Sequence, residues 1–269
     1  MILFTSDLDR TLIYSDKMMK AYPLNGEVTP VESKGDQVIT FMSQRSMDLL
    51  QRFNEEHLFV PVTTRALYQY ERIYGMTNMI KPKYAITSNG GTILIDGQPD
   101  REWSQLIRQR LSANSSPNED MLRTFAKIRH YSWVEGEFYV DDLFYMFRVN
   151  KEHIPYAELA VFEKELVEIG WRMFLHGRKL YVLPYHLNKV FAVEHLQSYV
   201  DYDIHVAAGD SILDYDMLIG ANIGYSPIHG ELFEVQGDDS KVKWIHHNGA
   251  ASTEELMMKL LELNPTVFK

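Results

Sequence analysis

The stretch Ile2-Leu3-Phe4-Thr5-Ser6-Asp7-Leu8-Asp9-Arg10-Thr11-Leu12 runs apolar, with strand character, and then stops at two carboxylates one residue apart. Residues i and i+2 share one face of a strand. Here the run is ending, so both acids are expected where a strand opens into a loop. Open α/β sheets carry their chemistry in the crevice beyond the carboxyl ends of the strands. Two acids this close resist ionising together, so the pair calls for a bound cation or for two different roles. A pair that only caps a turn is the plain alternative.

Working outward, two alternating runs at 28–31 and 37–41 flank Glu32-Ser33-Lys34-Gly35-Asp36 and predict a β-hairpin. It lies either over a site or on a solvated surface. Ser43 is the expected N-cap of a helix running to residue 56, with Met47, Leu50 and Phe53 at helical spacing. A second apolar run from residue 58 ends in Thr63, Thr64 and Arg65, and its Pro61 is unusual for a central strand. A helix over 66–73 follows, and a third run over 84–91 ends in Ser88-Asn89-Gly90-Gly91. This β, hairpin, α, β, α, β order predicts a parallel, doubly wound sheet whose polar strand ends share one edge.

Over 92–184 the pattern changes to antiparallel α+β. Strands are expected at 92–95, 131–140, 143–149, 171–176 and 179–183, and helices at 102–111, 115–129 and 155–169. Asp141-Asp142 marks a tight hairpin turn. From residue 187 the alternation resumes. Asn188-Lys189 opens a helix to 199, and a strand over 204–208 runs into Gly209-Asp210-Ser211-Ile212-Leu213-Asp214. Apolar runs follow at 219–224 and 242–245, and Thr253 is the expected cap of a last helix to 263.

The bulk numbers limit the function. The 269 residues suffice for two domains, and 45% hydrophobic with 24% charged is ordinary for a globular chain. No run of 18 apolar residues or secretory signal is read, and the absence of Cys removes disulfides and thiolate chemistry and fits a cytoplasmic location. A formal charge of −10 argues against a nucleic-acid partner, while a small phosphorylated ligand in one local cleft stays open. His246-His247 lacks a third ligand in the sequence, and Met257-Met258 reads as helix core.

Taken together, Asp7-Leu8-Asp9-Arg10-Thr11-Leu12, Thr63, Lys189 and Gly209-Asp210-Ser211-Ile212-Leu213-Asp214 resemble, in that order, the four motifs of the haloacid dehalogenase-like superfamily of aspartate-nucleophile phosphotransferases. The inserted segment looks like the C2-type cap of the Cof-like and sucrose-phosphatase-like branch. The resemblance implies an α/β fold, a Rossmann-like parallel sheet core with an inserted α+β cap domain. The core would span 1–88 and 186–269, and the cap 89–185. It also implies a Mg2+-dependent phosphatase acting on a small phosphorylated metabolite, a sugar phosphate in the first place, through an aspartyl-phosphate.

On that resemblance Asp7 is the nucleophile and Asp9 the general acid and base. Asp7, Asp210 and the Asp9 backbone carbonyl would hold Mg2+, with Asp214 supporting them. Thr63, Thr64 and Lys189 would bind the phosphoryl group, and Arg10, Arg65, Asn89 and Arg178 the rest of the substrate. Arg10 stands where many relatives carry Gly, and Thr64 where Gly often precedes the Arg. A phosphomutase on the same fold remains an alternative, as does a phospho-accepting regulatory protein without turnover. The oligomeric state is not readable.

Overall fold

The computed structural model describes residues 1–237 and 240–264. The chain divides into two compact units, Met1–Asp100 with Lys189–Lys269, and Arg101–Asn188.

The first unit is built on a five-stranded parallel sheet in the order Val242–Ile245, Ile223–Pro227, Ile204–Ala208, Ile2–Ser6, Leu58–Pro61. Every residue of Ile2–Ser6, Ile204–Ala208 and Ile223–Pro227 is buried, so these strands lack the apolar–polar alternation of a sheet with one solvated face. Register aligns Ser6 with both Ala208 and Pro61, so three strands end level. The ladder continues one residue further: Asp7 N–H donates to Ala208 O (2.9 Å) and Val62 N–H to Ser6 O (2.7 Å). Pro61 is tolerated because it is the last residue of the sheet's edge strand.

The third apolar run departs from the expected parallel alternation. Tyr84–Thr87 pairs antiparallel with Thr92–Ile95, which pairs in turn with Gln98–Pro99. This small sheet adjoins the main one at a bridge between Val62 and Ile86, just past the end of Leu58–Pro61. The turn Ser88-Asn89-Gly90 has positive φ at all three residues (55°, 56° and 96°), which reverses the chain too tightly for a crossover helix. The hairpin expected near residue 32 forms from Val28–Lys34 and Gln37–Ser43, with Tyr14–Ser15 as a third strand.

Helices cover the sheet. Ser43 caps Gln44–Glu56 by accepting from Ser46 N–H, as the sequence predicts. After the short helix Leu67–Glu71 the chain takes a π-helical turn, Gly75–Ile80. Tyr215–Gly220 and Glu231–Gln236 are helical where only apolar runs or loops were expected, and the strand lies at Ile223–Pro227 rather than 219–224. The last helix begins earlier than its expected cap: it spans Ala250–Glu262. Thr253 is therefore interior, buried, with its hydroxyl donating to Thr11 O (2.8 Å).

The Arg101–Asn188 unit has a four-stranded antiparallel sheet, ordered Trp171–His176, Lys179–Pro184, Phe144–Val149, Val134–Val140. Asp141 and Asp142 turn its hairpin with φ of 47° and 57°, in a tight turn closed by Leu143 N–H donating to Val140 O (2.9 Å). The helices Asn118–Phe125 and Tyr156–Glu168 close an aromatic core of Phe125, Trp133, Phe147, Phe162 and Trp171. Among the described residues no helix is long and apolar enough to cross a membrane.

Candidate active site

The level strand ends of the first unit gather most of the residues singled out by sequence. Asp7 leaves Ile2–Ser6, Thr63 follows Leu58–Pro61, and Asp210 follows Ile204–Ala208. Lys189 opens the helix Lys189–Gln197, and Asp214 ends the short turn Ile212–Asp214. Lys189 is 2% exposed, and its Nζ donates to Asp7 Oδ1 and to Asp214 Oδ1, both at 2.6 Å. Burial works to lower the ammonium pKa, but the charges of Asp214 and Asp7 outweigh it and hold the group above the usual lysine range.

One ammonium shared between two carboxylates satisfies neither fully. Burial, then the charges of Asp214 and Asp9, push the Asp7 carboxyl up to about 7 against the pull of Lys189. Asp210 is also raised well above the usual carboxylate range, by burial and by Asp7 and Asp214, with Arg10 and Lys189 opposing.

The carboxylates differ in what holds them. Both oxygens of Asp214 are taken, Oδ1 by Lys189 and Oδ2 by the backbone N–H (3.0 Å) and hydroxyl (2.9 Å) of Ser211. Asp210 Oδ2 is buried without a hydrogen-bond partner, and Arg10 Nε lies 3.4 Å from it. Oxygens of Asp7, Asp210 and Asp214 lie within 4.8 Å of one another. A cation fits this cluster: the donors are all oxygen, as a hard divalent ion prefers, and Asp210 presents a buried atom that lacks a donor. Gly230 and Gly209 keep the crevice narrow. A Cβ on Gly230 would stand 2.5 Å from Asp210 O, and one on Gly209 2.3 Å from Asp214 Cβ.

Asp9 is held from the opposite direction. Arg65 clamps it with a two-pronged fork, Nε to Oδ2 and Nη2 to Oδ1, both at 2.7 Å. The third guanidinium nitrogen, Nη1, reaches Glu32 Oε1 at 2.8 Å. Glu32 is 1% exposed and also binds Arg72 through Nε (2.9 Å) and Nη2 (2.6 Å). Thr63 is fully buried; its hydroxyl accepts from Arg65 N–H (3.1 Å) and its carbonyl from Asn89 N–H (3.0 Å). Asn89 is thereby fixed beside the motif, and Thr64 lies half-buried between Thr63 and Arg65.

Arg10 has φ of 63°, in the left-handed region that favours glycine. A reciprocal pair of bonds holds it: Arg10 Nη2 donates to His229 O (2.7 Å), and His229 Nε2 pairs with Arg10 O (2.8 Å). Arg178 belongs to the other unit, at an exposed hairpin turn, where its Nη2 donates to Glu135 Oε2 (2.6 Å). The sequence reading gave no role to Glu32, Arg72 or His229, and quoted Ser211 only as part of its fourth motif. Glu32 falls in the hairpin's expected turn, and nothing local marks it, Arg72 or His229, because Glu32 and Arg72 are 40 residues apart and His229 and Arg10 are 219 apart. Ser211 is different: it stands three residues before Asp214, a spacing at which a Ser and an acid commonly bond.

Comparison with known proteins gives the family and the fold. Residues 1–246 match the profile of a family described as sucrose-6F-phosphate phosphohydrolase. No curated protein matches by sequence. Among solved structures, the sucrose-phosphatase from Synechocystis sp. PCC6803, in complex with sucrose and phosphate, is similar with a TM-score of 0.69 and 17% identity. The match covers 98% of this chain and 99% of that one. A HAD subclass IIB sugar phosphatase is similar with a TM-score of 0.64 and 11% identity, over 98% of this chain and 100% of that one. A haloacid dehalogenase-like hydrolase from Bacillus subtilis has a TM-score of 0.57 and 15% identity, over 98% and 92%. At these identities the structural matches speak for the fold. The family profile, which covers nearly the whole chain, carries the assignment: the protein belongs to the sucrose-6F-phosphate phosphohydrolase family and is a phosphoric monoester hydrolase of the haloacid dehalogenase-like superfamily.

Proposed function

We propose that the chain is a Mg2+-dependent phosphatase that hydrolyses a phosphorylated sugar through a phosphorylated Asp7. The observation that carries the reading is the Asp7 carboxylate itself, buried at a strand end, held by Lys189 at 2.6 Å and flanked by Asp210 and Asp214. A free oxygen of Asp7 attacks phosphorus while the bond from phosphorus to the sugar oxygen breaks. Asp9 enters the reaction protonated, gives that proton to the departing alcohol and is left as the carboxylate that Arg65 grips, then takes a proton from the water that cleaves the aspartyl-phosphate. Lys189, Thr63 and Thr64 bind the phosphoryl oxygens, where charge builds up. Arg10, beside Asp210, and Asn89, whose N–H donates to Thr63 O, contact the remainder of the substrate.

Asp7, Asp210 and the Asp9 carbonyl hold the Mg2+, with Asp214 fixing Lys189 and Ser211 behind them. When bound, the ion supplies positive charge that lets crowded carboxylates ionise and offsets the charge of the phosphate. Support for a sugar as the alcohol part comes from the family description and from the sucrose and phosphate named with the Synechocystis relative.

The test is release of inorganic phosphate from a panel of sucrose 6F-phosphate, hexose phosphates and nucleotides, with and without Mg2+. Release from sugar phosphates is expected only with Mg2+, and Asp7→Asn should abolish it while the protein still unfolds in one cooperative thermal transition. Comparable turnover in Asp7→Asn would overturn the nucleophile assignment. Phosphate returned to a sugar hydroxyl instead of to water would mark a phosphomutase, and a long-lived phosphoprotein would mark a phospho-accepting protein.

A further inference from the structure

Between the acidic pair and Thr63 lies a hairpin that touches the site through one buried carboxylate. In Val28–Lys34 the register slips on both sides of Glu32, between Pro30 and Glu32 and again between Glu32 and Ser33. Such irregularities re-aim a side chain. Consecutive strand residues should face opposite ways, yet Val31 and Glu32 are both buried, Val31 against Gly75 and Glu32 against the arginines. The hairpin is thus shaped to bring a carboxylate inward.

Each contact of that carboxylate is charge-assisted or a hydroxyl bond. Oε1 meets Arg65 Nη1 (2.8 Å) and both Arg72 nitrogens, while Oε2 accepts from Thr40 Oγ1 (3.1 Å). Arg65 is a rigid plate 14% exposed, with Nη1 on Glu32 and its Nε–Nη2 edge on Asp9. A planar guanidinium gripped at one corner has its opposite edge fixed in direction. Arg72 supplies a second positive charge directly on Glu32, so the buried carboxylate is compensated whether or not Asp9 carries a proton. An apolar residue at 32 would leave Arg65 free to swing with Asp9.

We propose that Glu32 is a positioning residue for the phosphatase reaction: through Arg65 it fixes where the Asp9 carboxyl stands relative to the departing alcohol oxygen. The inference rests on the assignment of Asp9 as the acid. A displacement of about 1 Å in a catalytic group costs on the order of 10²-fold in rate, and it does so only where that group is needed. An alkoxide leaving from a sugar phosphate needs a proton; nitrophenolate leaving from p-nitrophenyl phosphate does not. The comparison of kcat/KM reports only the steps up to leaving-group departure, so hydrolysis of the aspartyl-phosphate does not enter.

The experiment measures kcat/KM with Mg2+ for p-nitrophenyl phosphate and for the hexose phosphate turned over fastest in the panel above. Wild type, Glu32→Gln, Glu32→Ala and Asp9→Asn are compared, with thermal unfolding of each. The sugar-to-aryl ratio is expected to fall by roughly 10-fold in Glu32→Gln and on the order of 10²-fold in Glu32→Ala. A ratio within about twofold of wild type in Glu32→Gln, whether both substrates lose activity equally or neither does, overturns the proposal and leaves Glu32 a packing residue. If Glu32→Ala does not fold, Glu32→Gln decides alone, because it keeps the side chain's size. Asp9→Asn separates the two layers of argument. If it too leaves the ratio unchanged, the acid assignment fails; if it lowers the ratio while the Glu32 variants do not, only the positioning role fails.

Discussion

His205 is an ionisable residue buried in the sheet but outside the acidic cluster, 4% exposed in Ile204–Ala208. Gln197 Nε2 faces its Nδ1 at 3.0 Å, which makes Nδ1 the acceptor and leaves Nε2–H to donate to Thr5 Oγ1 at 2.8 Å. The ring is therefore held neutral, and burial pushes its pKa down to about 4. Between pH 6.5 and 4 the unfolded chain binds the proton that the folded one refuses, so this contribution to stability is intact above 6.5 and is lost as the pH falls. At pH 5 the loss is about 2 kcal/mol. Urea titrations at pH 7 and pH 5 should show it in the wild type and not in His205→Gln; equal losses in both proteins would refute the assignment. At the same scale Lys189 shows how charge is divided. Its single ammonium stands between Asp7 and Asp214, so no carboxylate of the cluster is fully neutralised by protein groups alone.

At the scale of elements, the hairpin and the π-helical turn form one device. Val31 packs where Gly75 lacks a side chain: a Cβ there would stand 2.6 Å from Val31 Cβ and 2.7 Å from Cγ1. A π turn adds a residue to a helix and locally shifts what it presents, here letting the hairpin seat its core residue beside the glycine. Gly75→Ala is expected to cost about 1–3 kcal/mol through overpacking. In urea unfolding it should be non-additive with Val31→Ala, since the two changes share one contact; strict additivity within about 0.5 kcal/mol would mean the contact is not what sets the cost. The loop after Asp9 is fixed in a similar manner by a distant element. Leu12 and Ile13 N–H both donate to Leu8 O at 2.9 Å, and Thr253 of the last helix donates to Thr11 O.

For the molecule as a whole, the two units differ in how the chain supplies them. The aromatic core of Arg101–Asn188 is drawn from residues within that one segment. The core of the other unit joins Phe4, Phe59 and Met47 to Val206, Ile223 and Leu256, from both ends of the chain. The segment 101–188 produced alone should therefore unfold cooperatively, with dispersed amide resonances. A chain ending at residue 100 should not fold, because Ile2–Ser6 would lose its pairing with Ile204–Ala208. A molten 101–188 fragment would contradict the first expectation, and a cooperative melt of 1–100 the second. What the sequence determined by itself was whatever rests on local pattern: apolar runs that stop at Asp7, Thr63 and Asp210, the Ser43 cap, the Asp141-Asp142 turn and the order of four motifs. Burial on both faces writes a strand as a continuous apolar run, and turn chemistry writes its own residues, so these are legible without coordinates. The tertiary structure alone decided that Tyr84–Thr87 turns back as a hairpin, that Thr253 is interior, and that Glu32 reaches Arg65. Those outcomes depend on contacts between residues far apart in sequence, where side-chain direction is set by register and packing rather than by neighbours along the chain.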